Sequence, residues 1–248
     1  MDVELNKRIN ELWAQFPGDQ VEKIQQKFYG YIATDKPGSF RGLVDEYPLL
    51  KDIIKTDPSI ILGPVKNYQP EIIELMVTEY GLDMEFPRPG YMNRTLLLEA
   101  LHLHHRQYRN VGWSIDQKFV SKYKTVDKLL QLGVNVNAVD YLGNSPLHYA
   151  ISRLELSDMF EDRYNPPLMI VELLLLNGAD PNLQNFNGCA SLHVALRKND
   201  FPLTELEPLL KMLIRYGANE RIVDEKGRTA IALVLERSPL EQTKVTYF

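Results

Sequence analysis

The stretch Gly133 to Arg153, GVNVNAVDYLGNSPLHYAISR, decides how this chain folds. Its first half is rich in Gly, Asn and Asp, residues that turn the backbone, and the whole reads as a polar hairpin followed by a short helix. Its core, Asp140-x-x-Gly143-x-Ser145-Pro146-Leu147-His148-x-Ala150, recurs in the chain. Asn185-Phe186-Asn187-Gly188-Cys189-Ala190-Ser191-Leu192-His193-Val194-Ala195 repeats it, and Asp224-Glu225-Lys226-Gly227-Arg228-Thr229-Ala230-Ile231 repeats it again with Ala232 at the histidine position. Repetition of this kind marks a solenoid, in which each unit buries its apolar face against its neighbours.

The repeated core closely resembles the D-x-x-G-x-T-P-L-H-x-A signature of the ankyrin repeat. The helix-ending glycines are Gly81, Gly133, Gly178 and Gly217, and the signature threonine position holds Thr95, Ser145, Ala190 and Thr229. From glycine to signature position the intervals are 14, 12, 12 and 12 residues; the returns to the next glycine are 38, 33 and 27. A period of about 33 residues leaves about 21 for each return, so the units carry roughly 17, 12 and 6 extra residues between their first and second helices. The hairpin is constant because its contacts are repeated with each neighbour, whereas the inter-helix turn faces solvent and tolerates insertion at small entropic cost.

The insertions are Tyr108 to Ser114, Leu156 to Pro167 and Asn199 to Pro202, each with an aromatic residue. Sharing one topological position, they should lie along one edge, either packing on one another or forming a second binding edge around Trp113, Phe160 and Phe201. Residues 1–37 read as a helical N-terminal cap, with apolar positions at helical spacing on both sides of Pro17-Gly18. Residues 38–92 read as degenerate ankyrin-like units, including one helix from Phe40 to Ile54 and another from Glu71 to Tyr80 entered at Pro70 and stopped at Gly81. Residues 93–237 carry the ankyrin-like units with long insertions, and 238–248 form a tail. The fold class implied is an all-α, ankyrin-type helical solenoid with short β-hairpin loops.

Composition sets outer limits. A hydrophobic share of 44% with 25% charged residues suits a soluble chain with a sizeable core, and a formal net charge of −5 gives no general attraction to phosphate backbones. No nucleic-acid partner is expected. The N-terminal stretch lacks the basic and apolar regions of a secretory signal, and no run approaches a membrane span. With Cys189 the only cysteine, no intramolecular disulfide can form. The expectation is a cytoplasmic chain, monomeric on its own; the alternative is export into a host cell without an N-terminal signal.

Little in the chain points to catalysis. His148 and His193 sit at the signature histidine, which in the resembled family ties one loop to the next. Cys189 precedes His193 by four residues, but the hairpin and the following helix are expected to hold them apart. His102, His104 and His105 form a local cluster that lacks further ligands for a tetrahedral metal site. The acidic run from Asp158 to Asp162 lacks the ligand alternation of a calcium loop. No cofactor and no enzyme activity are expected; an activity seated in the first 70 residues is the outlying alternative.

The resemblance implies a protein-protein interaction module whose ligands are held by hairpin tips and by the exposed side of the first helices. The tip positions are Tyr91 and Met92, Tyr141 and Leu142, Phe186 and Asn187, Glu225 and Lys226. The groove positions include His102, Arg153, Arg197, Lys198 and Arg237. Aromatic tips backed by cations suit a protein partner with an acidic segment. An exported effector or immunity-type protein that masks its target through the same face is the alternative role.

Overall fold

A computed structural model describes residues 3–34, 36–84, 95–102, 115–154, 166–198 and 202–237. The described residues hold thirteen α-helices and no strand. They are all-α, as the repeat pattern implies, and fall into two compact units, residues 1–134 and 135–248.

The first unit begins with α1 (Val3–Trp13) and α2 (Val21–Ala33), separated by the Pro17-Gly18 break. Where one helix was expected from Phe40 to Ile54, there are two, α3 (Pro37–Glu46) and α4 (Leu49–Thr56). The cause is Pro48: it donates no backbone N–H and it forces Tyr47 out of the helical region, to φ −126° and ψ 80°. A single 3₁₀ turn (Pro58–Ile61) leads into α5 (Leu62–Lys66). The helix α6 (Pro70–Glu74) then runs on through a π turn (Leu75–Glu79) and stops at Gly81, whose φ is +67°. The unit closes with α7 (Leu96–His102) and α8 (Ile115–Gln131), which pack on each other.

Its core is an aromatic chain. Trp13 meets Phe28 edge-on at 6.1 Å, Phe28 meets Phe40 at 5.4 Å, and Phe40 meets Tyr80 at 6.1 Å. Phe28 and Phe40 are fully buried, together with Leu50, Ile53, Ile54, Ile72, Ile73 and Met76. The helices of residues 1–37 therefore share a core with those that follow.

The second unit stacks helix pairs. Three first helices, α9 (Pro146–Ser152), α11 (Ser191–Leu196) and α13 (Ala230–Glu236), lie side by side, and α10 (Pro166–Leu176) and α12 (Leu203–Arg215) back the first two. Val171, Leu174, Leu210 and Leu213 are buried as the apolar run of a second helix requires. Leu176 and Ile214, at the ends of those runs, instead face outward. The hairpins are tight turns too short to form strands: the Asp140 N–H donates to Asn144 O at 3.0 Å and the Gly143 N–H returns to Asp140 O at 3.0 Å. The same pair of bonds recurs at Asn185 to Cys189 and at Asp224 to Arg228. Tyr91 and Met92, the middles of the three insertions, and the tail from 238 lie outside the described residues.

Candidate functional site

The hairpin tips are positioned by side chains inside each turn. Asp140 accepts bonds from the Leu142 and Asn144 N–H groups at 2.9 and 2.8 Å, and its second oxygen accepts from Tyr149 Oη at 2.8 Å. Asn185 accepts from the Asn187 and Cys189 N–H groups, each at 3.0 Å, and its amide donates to Asn144 Oδ1 at 2.8 Å. Asp224 does the same for Lys226 and Arg228 at 2.8 and 2.9 Å. A short polar side chain bonded to its own turn fixes the loop without a sheet.

Each turn is also bonded to the next. The Phe186 N–H donates to Leu142 O and the Glu225 N–H donates to Asn187 O, both at 3.0 Å. Glycine is required at the crossing points. A Cβ on Gly143 would lie 2.9 Å from the Phe186 ring, and one on Gly188 would lie 2.6 Å from the Glu225 nitrogen. Tyr141 (49% exposed), Leu142 (46%) and Phe186 (75%) consequently stand at the surface on rigid, evenly bonded loops. Asn187, Glu225 and Lys226 are exposed beside them.

The signature position works as a helix N-cap. Thr95, Ser145 and Thr229 accept the N–H three residues on, at 3.4, 3.4 and 3.3 Å. Ala190 has no side-chain oxygen to offer, so that cap bond is missing there, while His193 still accepts the Ala190 N–H on Nδ1 at 3.2 Å. His148 likewise accepts the Ser145 N–H on Nδ1 at 3.1 Å, and its Nε2–H donates to Cys189 O at 2.8 Å. His193 Nε2–H donates to Arg228 O at 3.0 Å. With both ring nitrogens engaged, each imidazole is a strut between loops, and burial lowers the His148 pKa below its ordinary value. Cys189 is buried with its thiol directed at Asn187 O, and burial pushes that thiol's pKa up. Neither group is set up as a nucleophile or its base.

The groove cations occupy helix C-termini. Arg153, Arg197 and Arg237 each follow the last residue of α9, α11 and α13, where the helix dipole favours positive charge. Arg197 reaches the buried Asp224 carboxylate at 2.8 Å, Lys198 donates to Ser152 O at 3.0 Å, and Arg237 donates to Leu196 O and Lys198 O at 3.3 and 3.2 Å. Burial would raise the Asp224 pKa, but bonds from the Arg228 N–H and guanidinium, the Lys226 N–H and Arg197 outweigh it and hold the carboxyl well below the usual range. His102 is half-buried at the end of α7; its neighbours His104 and His105 lie outside the described residues. Among the described residues no group of three or more His, Cys, Asp or Glu could hold a metal ion.

Sequence reasoning missed a second ladder. Asn137 donates to Gly178 O at 3.0 Å and accepts the Asp180 N–H at 2.8 Å, and Asn182 repeats this with Gly217 O at 2.9 Å and the Asn219 N–H at 2.7 Å. The signal was available: Asn137 and Asn182 each stand four residues after a helix-ending glycine, a position that holds Arg221 in the last unit.

Stacked helix pairs joined by bonded turns define a repeat scaffold, and comparison names it. A model of ankyrin repeats in many copies matches residues 121–160, and a model of the ankyrin repeat matches 142–186. Over residues 121–186, therefore, the chain consists of ankyrin repeats. It is 30% identical over 98 residues to an ankyrin repeat protein of Acanthamoeba polyphaga mimivirus, covering 40% of this chain and 20% of that one. Over 114 residues it is 31% identical to the mouse B-cell lymphoma 3 protein homolog, covering 46% and 21%. Over 104 residues it is 30% identical to an ankyrin repeat protein of Rickettsia felis, covering 42% and 41%. The chain thus spans about a fifth of the first two relatives' length and about two fifths of the third. Ankyrin repeats indicate a protein-protein interaction module. No helix among the described residues is long and apolar enough to cross a membrane.

Proposed function

We propose that this chain binds a partner protein through the ridge formed by Tyr141, Leu142 and Phe186. The observation that carries the reading is Phe186, 75% exposed on a loop otherwise closed by hydrogen bonds on both sides. A rigid aromatic side chain buries much area on binding while losing little entropy, and this is how interface anchors work. Asn187, Glu225 and Lys226 form the polar continuation of the ridge, and Tyr91 and Met92 hold the corresponding tip positions earlier in the chain. Arg153, Arg197, Lys198 and Arg237, on the helices that follow these tips, favour an acidic segment in the partner, and His102 holds the corresponding sequence position at the end of α7.

A chain that masks its target through this ridge after export into a host cell would use the same residues. The test is a pull-down with mass spectrometry, comparing wild type with a Tyr141→Ala, Phe186→Ala double variant. A protein retained by wild type and lost by the folded variant supports the ridge. Equal capture by both overturns it.

A further inference from the structure

Away from the hairpins, in the first unit, one side of α2 borders a concavity of about 550 Å³ open to solvent. Lys23, Lys27, Tyr31 and Thr34 line it at the three- and four-residue spacing of one helix face, and Lys36 and Tyr47 extend it beyond the helix end. None of the three lysines has an ion-pair partner among the described residues. Asp19 is the single carboxylate in the lining, so three positive charges face one negative in a chain whose net charge is −5.

Gly30 is the second observation. It sits inside α2, where glycine weakens a helix, and it lines the same concavity. A Cβ there would meet nothing within 4 Å, and its backbone is not in the left-handed region. Neither packing nor conformation calls for glycine. What the missing side chain leaves is room in the concavity itself, between Lys27 and Thr34.

We infer that this concavity binds an acidic, extended peptide segment of a partner protein. From Gln20 to Thr34 the helix rises about 21 Å, the length of about six residues of extended chain. Lys23 and Lys27 within that length and Lys36 beyond its end suit successive carboxylates; a compact phosphate would ask for donors converging on one point. The segment's backbone passes over Gly30, its carboxylates meet Lys23, Lys27 and Lys36, and the Tyr31 hydroxyl is a donor beside them. The site shares no residue with the hairpin ridge, so either can fail without the other.

The experiment is a titration of fluorescein-labelled hexaglutamate with the full chain, read by anisotropy at 50 and 200 mM salt, with hexathymidylate and tripolyphosphate as competitors. Saturable binding that weakens with salt is expected. Lys23→Glu with Lys27→Glu should weaken it about tenfold or more. Gly30→Gln, a helix-favouring change that should not lower the melting temperature, should weaken it about fivefold by filling the concavity. Tyr141→Ala with Phe186→Ala should leave it unchanged. Should the charge reversal fail to fold by circular dichroism, Lys23→Gln with Lys27→Gln replaces it, with a smaller loss in the same direction. No binding by wild type, undiminished binding by the folded lysine or glycine variants, or stronger competition by the nucleotide or phosphate than by unlabelled hexaglutamate overturns the proposal.

Discussion

Gly188 and Gly178 share a left-handed backbone, at φ +69° and +85°, yet they differ in what surrounds them. A side chain on Gly178 meets open space, whereas one on Gly188 drives into the backbone of the next turn. Gly178→Ala should therefore cost only the conformational penalty of about 1–2 kcal/mol. Gly188→Ala should cost at least about 2 kcal/mol more, because a backbone neighbour can yield only by moving the loop. Urea midpoints of the two variants check this. His148 supplies a second residue-level test. Its folded pKa lies below its unfolded value of about 6.5, so below that pH the unfolded chain binds more protons than the folded one. The stability contributed by neutral His148 is complete above about pH 6.5 and declines as pH falls toward its folded pKa. His148→Gln should flatten that part of the pH profile while lowering stability at pH 7.5 by about 1–3 kcal/mol, measured by urea unfolding at pH 7.5 and 5.5.

The elements of the second unit depend on which face each helix buries. Leu174 on α10 is fully buried and Leu176, two residues on, is 67% exposed. Leu174→Ala should cost about 3 kcal/mol and Leu176→Ala less than about 0.5 kcal/mol, the contrast reporting the helix's rotation. Between elements, Asn182 joins two successive loops with bonds in both directions. Its replacement by Ala should cost about 1–2 kcal/mol, while Arg221→Ala at the corresponding position of the last unit should stay within about 0.5 kcal/mol. The helices of these units could be placed from the sequence because glycine stops and the capped starts at Ser145 and Thr229 are local signals. The split of Phe40 to Ile54 was missed although Pro48 stood in plain view: the apolar spacing runs across it, and spacing alone does not say that the axis turns there.

Across the whole chain, Cys189 offers a single chemical probe of folding. Buried, with its thiol pKa raised, it should react with a thiol reagent at least about a hundredfold more slowly in the native protein than in urea, and one thiol should appear on unfolding. The Tyr141→Ala, Phe186→Ala variant should show the same protection as wild type, because both side chains project from loops whose bonds are made by other groups. Loss of protection in that variant would mean the ridge is structural.

By itself the sequence determined that the second unit is an ankyrin-type stack of helix pairs, where its turns fall, and that Tyr141 and Phe186 stand at the tips. These follow from glycine, proline and capping residues acting within a few positions of one another, repeated often enough to be read without a structure. Only the tertiary structure decided what the polar residues do. Arg197 and Lys198 can be read along the chain as groove cations, but the Asp224 carboxylate and the Ser152 carbonyl that engage them come from the neighbouring repeats. Lys23, Lys27 and Lys36 can be read as an ordinary solvated helix face, and it takes the packed helices around them to form a concavity with Gly30 in its lining. The physical reason is range: a turn is specified by its own residues, whereas the partner of a charge is whatever the fold brings within a few ångströms.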